Sequence, residues 1–153
     1  MSEMSYRNYL GMYFGQKELV ELFTAFNIAP PSKLKMSDYA AYLSSPAMGV
    51  ELTFFDAESR GFSNDRIPDG AQVLANIRFY GVKTDTFQPF SGELPDGMFF
   101  GEKRSALVNR MGPPDWINAM DDKLRWENET SSILATMDDH DKVEVVSLQL
   151  KTD

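Results

Sequence analysis

The single histidine of the chain lies in the string Asp138-Asp139-His140-Asp141, the densest group of side chains that could bind a metal ion. Carboxylate oxygens and imidazole nitrogens are common metal ligands. Adjacent residues in a tight turn diverge, however, and no second group with ligand spacing follows in the sequence. Aspartate is also a preferred turn residue. We therefore predict a solvated hairpin turn at this string and no metal site.

Two glycine-containing strings, Gly11–Gly15 and Gly97–Gly101, have the composition of a loop that could bind phosphate. Neither is followed by the Gly-Lys-Ser/Thr sequence of a P-loop, and no G-x-G-x-x-G pattern follows a predicted strand. The methionine and aromatic residues inside both strings instead suit a chain that enters a helix and is pinned to the core. The sequence indicates no nucleotide site and no cofactor.

The sequence lacks the combination of residues that nucleophilic catalysis requires. The chain has no cysteine, and no motif fixes a serine near its one histidine. The paired carboxylates at 121–122 and 138–139 are neighbours in predicted turns rather than opposed across a cleft. We therefore expect a protein that is not an enzyme. A pocket lined by several convergent polar groups would favour the remaining alternative, an enzyme or a binder of small molecules.

Negative charge is concentrated in the second half of the chain. Residues 1–80 carry 7 Lys/Arg against 9 Asp/Glu, and residues 81–153 carry 8 against 14, so most of the net charge of −8 lies after residue 80. A negative field repels phosphate backbones and favours a basic protein partner. No apolar run approaches the roughly 20 residues of a membrane span, and no signal-peptide pattern opens the sequence. These features predict a cytoplasmic protein that binds neither nucleic acid nor membrane.

The strings GMYFGQK at 11–17 and GMFFGEK at 97–103 are nearly identical, and each leads through a helix-like segment to a proline pair. Similarity continues beyond the prolines, where Trp126 corresponds to Tyr42. Such self-similarity indicates one supersecondary unit used twice. We predict a single domain over residues 1–153 made of two repeats, 11–80 and 97–150, joined by a connector at 81–96.

Hydrophobic periodicity predicts one helix and three strands in each repeat. The predicted helices span 16–26 and 103–111, and the predicted strands span 38–44, 49–56, 72–80, 123–127, 132–137 and 142–150. Strands joined by short turns pair antiparallel. The predicted fold class is α+β, with two tandem αβββ repeats that form one antiparallel sheet of about six strands with the helices on one face.

The string Gly101–Pro114, followed by Trp126 in a strand and by two further strands, resembles a known module. It is similar to the tandem helix-plus-sheet repeat of the beta-lactamase inhibitor protein and to the domain of small outer-membrane assembly lipoproteins. The resemblance covers residues 97–150 well and residues 11–80 loosely. It implies a protein that binds another protein through the open face of its sheet. For an acidic cytoplasmic chain, the setting that it suggests is a bacterial toxin and immunity locus.

Alternation within the predicted strands sorts the aromatic residues by face, so that Phe54, Phe79 and Trp126 are expected to face the helices. The opposite face combines aromatic, arginine and acidic side chains, which is typical of interface hot spots. With Trp116 and the acidic turn, these give the predicted partner-binding residues Phe55, Arg78, Tyr80, Trp116, Arg125, Glu127, Asp138, Asp139 and Asp141. The loop over 58–70 or the connector could instead cover this face, and Trp116 could fold back onto the helix end.

The sequence therefore predicts a protein-binding inhibitor or immunity protein that neutralises a bacterial toxin or enzyme by occluding its basic active-site surface. The alternative is a structural or assembly protein that forms a homodimer through a sheet edge. A flat aromatic face would favour the inhibitor, and a two-fold contact between sheet edges would favour the homodimer.

Overall fold

A computed structural model describes residues 5–151, which form two α-helices, two 3₁₀ helices and seven strands. The 3₁₀ helices are Tyr6–Tyr9 and Pro95–Gly97, and the α-helices are α1 (Leu19–Ala25) and α2 (Arg104–Met111). The strands are β1 (Ala40–Ser45), β2 (Val50–Asp56), β3 (Gln72–Tyr80), β4 (Trp116–Ile117), β5 (Lys123–Glu127), β6 (Ser131–Met137) and β7 (Val143–Leu150). None of the helices in this part of the chain has the length and apolar character needed to cross a membrane.

The seven strands of residues 5–151 form one sheet in the order β1-β2-β3-β7-β6-β5-β4, with every neighbouring pair antiparallel. This confirms an α+β fold with a single antiparallel sheet. About six strands were predicted, and the sheet of residues 5–151 has seven, because Trp116 and Ile117 add a short strand beside β5. A strand of two residues is too short for alternation to reveal. The two halves therefore contribute three and four strands, and the equal αβββ units are not found.

Two predicted element boundaries are shifted by more than one residue, each for a local reason. The first strand begins at Ala40 instead of residue 38, because Asp38 and Tyr39 have φ of 56° and 64°. These left-handed values are incompatible with an extended strand. The first helix begins at Leu19 instead of residue 16, because Gln16 belongs to a preceding turn in which its side chain accepts a hydrogen bond from Tyr13 N.

One face of the sheet is apolar, and the strand register aligns its residues in a row. Across six strands this row is Leu43, Leu52, Ile77, Leu148, Ile133 and Trp126. Both helices contribute to the same buried cluster, α1 through Leu22 and α2 through Leu107. The predicted inward direction of Phe54, Phe79 and Trp126 is confirmed, since all three are buried in this cluster. Each such burial contributes about 1.5–3 kcal/mol.

Candidate functional site

The second face of the sheet, called here the open face, is polar and charged. Alternation along each strand places these side chains opposite the apolar row. The first aligned row is Ser44, Glu51, Arg78, Ser147, Leu134, Arg125 and Trp116, which crosses all seven strands of residues 5–151. The neighbouring row is Tyr42, Thr53, Asn76, Gln149, Ser132 and Glu127.

Two segments cover parts of the open face. In the loop after β2, Phe62 stacks on Phe55 with ring centroids 6.3 Å apart, and the Arg60 guanidinium lies 4.2 Å from the Phe55 centroid. In the connector, Phe87 stacks on Tyr80 with centroids 4.2 Å apart and an interplanar angle of 16°. The sequence offered the loop after β2 or the connector as a cover for this face, and both segments cover part of it. They withdraw part of the Phe55 and Tyr80 ring surfaces from a partner.

The uncovered part of the open face forms a groove with a cavity volume of about 590 Å³. Its strand residues are Tyr42, Glu51, Thr53, Phe55, Ala75, Asn76, Arg78, Arg125, Glu127, Ser132, Gln149 and Leu150. Arg60 and Phe62 of the loop and Lys151 at the end of β7 complete the lining. The volume lies within the roughly 300–1,000 Å³ range of ligand pockets. By the criterion stated above, the polar lining also favours the alternative of a small-molecule binder.

The groove has the opposite charge to the chain as a whole. Four cationic side chains, those of Arg60, Arg78, Arg125 and Lys151, line it against the two carboxylates of Glu51 and Glu127. The lining therefore has a net charge of +2, whereas the chain has −8. A partner that enters the groove meets a positive surface.

Three of these cations have neutral partners. Arg78 Nε donates to the Ser147 hydroxyl at 3.3 Å, and Lys151 Nζ donates to the backbone oxygen of Asn128 at 2.9 Å. Arg60 donates to the backbone oxygen of Asp38 at 3.4 Å. Within residues 5–151, no carboxylate lies at ion-pair distance from Arg60, Arg78 or Lys151. Their charges remain available to a bound anion.

Glu51 stands opposite Arg78 in the strand register but does not form an ion pair with it. Its carboxylate accepts a hydrogen bond from the Ser44 hydroxyl at 3.2 Å, on the side away from β3. The neutralisation of Arg78 by Glu51 is therefore incomplete, because the two charges share a face without direct contact.

Arg125 is the groove cation with a carboxylate neighbour. Its Nε lies 3.4 Å from Glu127 Oε1, and its guanidinium carbon lies 4.6 Å from the centroid of the Trp116 ring. The ion pair does not have hydrogen-bond geometry, so the buried Nε has no hydrogen-bond acceptor among residues 5–151. Trp116 and Glu127 together hold the guanidinium at the wall of the groove.

A second unsatisfied atom lies on the groove floor. Asn76 Oδ1 is buried and accepts no hydrogen bond from the described part of the chain. Asn76 is two residues before Arg78 on β3 and lines the groove with it. A buried acceptor without a donor costs about 1–3 kcal/mol.

The predicted acidic turn lies at the other end of β6 and β7. From Ser132 in the groove to Met137 beside the turn, β6 extends five residues, about 17 Å at 3.4 Å per residue. Asp138 Oδ1 accepts hydrogen bonds from the backbone of His140 at 2.8 Å and of Lys142 at 3.0 Å. The Lys142 bond is the largest effect that lowers the pKa of Asp138. The predicted hairpin turn is confirmed.

Other aspartates surround this turn. Arg104 forms ion pairs with Asp141 at 2.7 Å and with Asp121 at 2.8 Å, and these three side chains line a shallow surface with Asp122, Asp138 and Asp139. We call the five aspartates the acidic end. Burial raises the pKa of Glu144, and the nearby carboxylates of Asp138 and Asp139 raise it further. Negative charge is thus concentrated here.

The predicted partner-binding residues fall into separate places. Phe55, Arg78, Arg125 and Glu127 line the groove, and Trp116 lies beside Arg125 with 39% of its surface exposed. Tyr80 lies beneath Phe87, and Asp138, Asp139 and Asp141 lie at the acidic end. The groove residues that the sequence reasoning missed are Tyr42, Glu51, Thr53, Arg60, Phe62, Ala75, Asn76, Ser132, Gln149, Leu150 and Lys151.

Comparison of the chain with protein-family models, with curated proteins and with solved structures gives no match. The resemblance to the beta-lactamase inhibitor repeat therefore stays a prediction from the sequence. The geometry of the groove and of the acidic end carries the functional argument.

Proposed function

We propose that the chain is a protein-binding inhibitor, and more narrowly an immunity protein that neutralises a bacterial toxin or enzyme. The groove on the open face is the observation that carries this proposal. It combines aromatic and arginine side chains, which dominate the binding energy of interfaces, with cations that have neutral hydrogen-bond partners. An antiparallel sheet supports most of these groups, so little ordering is required when a partner docks.

The acidic end supplies the second contact of the proposed complex. Its aspartates suit the basic active-site surface that an inhibitor would occlude, and they lie at the far end of β6 and β7 from the groove. Peripheral charges mainly accelerate association, whereas central anchors slow dissociation. In this proposal the acidic end attracts the partner and the groove retains it.

A homodimer through the edge of β1 is the second candidate. Ala40 exchanges backbone hydrogen bonds with Ser37 outside the sheet, so strand alternation directs the backbone groups of Tyr42 to the same outer edge. The side chain of Tyr42 is 60% exposed. An edge with these features can pair with a second copy.

Binding kinetics with the product of the neighbouring gene test the first proposal. The purified chain should bind that protein and inhibit its activity, and Arg125→Gln should accelerate dissociation at least about tenfold. Val20→Ala, at an exposed position of α1, is the matched control and should leave both rates unchanged. Absence of binding, or equal dissociation rates for all three proteins, would contradict the proposal.

Sedimentation velocity separates the two candidates. A monomer at all concentrations, with the groove variant defective in binding, supports the inhibitor. Self-association that Tyr42→Pro abolishes, together with unchanged binding by Arg125→Gln, supports the homodimer instead. Proline lacks the backbone N–H that pairing through this edge requires.

A further inference from the structure

We propose that the groove binds an extended acidic segment of the protein partner, with carboxylates at Arg78 and Arg125. The inference rests on the proposed function and names the chemical class of the segment that docks. It assigns opposite charge preferences to the two surfaces, since the acidic end suits a basic region of the same partner.

Charge complementarity is the first argument. Arg78 is half-buried on an interior strand, and a serine hydroxyl is its hydrogen-bond partner. A partly desolvated guanidinium without a carboxylate is costly, and a carboxylate that reaches it forms strong charge-assisted hydrogen bonds. The Arg125 guanidinium lines the same groove, with Glu127 as its carboxylate neighbour. The lining has a net charge of +2, so the groove favours carboxylates near both arginines.

The shape of the groove favours an extended chain. From Arg78 on β3 to Arg125 on β5 the aligned row crosses three strand spacings, about 14 Å at 4.8 Å each. A second cavity of about 190 Å³ shares Phe62, Leu150 and Lys151 with the groove and continues it beneath the loop after β2. An extended segment of about four residues spans the distance between the arginines, which a small dicarboxylate does not.

Fluorescence polarisation with a labelled oligoglutamate peptide tests this inference, with an oligolysine peptide of equal length and free glutarate as comparisons. Oligoglutamate should bind, and Arg78→Gln and Arg125→Gln should each weaken binding at least about tenfold. Glu51→Gln should strengthen it, because a repelling carboxylate is removed from the lining. Lys33→Gln, which removes an exposed charge outside the groove lining, should change it less than about twofold. Thermal melting of each variant checks folding.

Each contrary outcome identifies what fails. Preference for oligolysine, or oligoglutamate binding that Arg78→Gln does not change, overturns the inference. Glutarate that displaces the peptide at equal molar concentration shows a site for small anions and also overturns it. If the neighbouring gene product binds through the groove and oligoglutamate does not compete, the inference fails and the proposed function stands. If oligoglutamate binds through the arginines and that protein does not bind, the proposed function fails and the charge preference of the groove stands.

Discussion

The guanidinium carbon of Arg125 on β5 lies 4.6 Å from the centroid of the Trp116 ring on β4, at one edge of the sheet. A cation over an indole ring is stabilised by about 0.5–2 kcal/mol, with the larger values where water is excluded. Trp116 therefore positions the Arg125 guanidinium, and part of its ring also remains exposed. It also places a fluorescent side chain next to a groove cation.

Tryptophan fluorescence should report occupation of the groove through Trp116. In Trp126→Phe, where Trp116 is the remaining tryptophan, titration with oligoglutamate should shift the emission because Arg125 changes its partner. In Trp116→Phe the emission comes from Trp126, which is buried on the other face, and should stay constant. A shift confined to Trp116→Phe would contradict the assigned site.

Trp126 should be one of the most sensitive positions for stability. It is 8% exposed, and its Nε1 donates a hydrogen bond to the Gly112 backbone oxygen at 3.0 Å, which ties β5 to the end of α2. Trp126→Ala should lower the free energy of unfolding by about 3–5 kcal/mol. Trp126→Phe, which retains most of the apolar contact, should cost less. Urea denaturation measures both, and an unchanged midpoint for Trp126→Ala would contradict the burial.

The sequence predicted the elements that repeat a pattern over several residues. Alternation over β2 and β3 placed Phe54 and Phe79 in the core, because a register with the opposite faces would expose both rings. The same alternation was sufficient to place Thr53, Asn76 and Gln149 on the open face. Those residues were overlooked because their short polar side chains have no distinctive composition, although they form the groove floor.

The positions of the loop residues and the contacts of the turn aspartates could not be predicted from the sequence. Arg60 and Phe62 reach the groove through contacts with Phe55 that no local pattern encodes. Asp138 and Asp141 were predicted as partner-binding residues, yet they bind backbone amides of the turn and the Arg104 side chain, respectively. An aspartate that attracts a partner cannot be distinguished by sequence from one that stabilises a turn, since aspartate is favoured in both places.

Stability at high pH should depend on Tyr9. Its hydroxyl donates to Glu21 Oε2 at 2.6 Å, and this bond, burial and the nearby charge of Glu21 raise the pKa of Tyr9 from 10.0 to about 12. Because the folded pKa is raised, the contribution to stability is complete below the unfolded pKa of 10.0 and is lost as pH rises toward about 12. The loss is at most about 3 kcal/mol, since each pKa unit corresponds to 1.36 kcal/mol.

Tyr9→Phe isolates this effect from the other titrating groups. The variant should be less stable than the unmodified chain below pH 10.0, and the difference between the two should shrink as pH rises toward about 12. Urea denaturation at a series of pH values gives the difference at each point. A difference that stays constant across this interval would show that the Tyr9–Glu21 bond does not alter the titration.

Substitution of Asp139 should change electrostatic attraction at the acidic end without changing the stability of the fold. It is exposed, and its carboxylate forms no hydrogen bond or ion pair with the described residues, unlike those of Asp138 and Asp141. Asp139→Asn should slow association with the proposed partner and flatten its salt dependence, while dissociation and the melting temperature stay unchanged. Stopped-flow kinetics at low and high ionic strength measure this. Asp65→Asn, which removes an equal exposed charge from the loop after β2, is the control, and an equal effect of both variants would show that net charge, not the acidic end, attracts the partner.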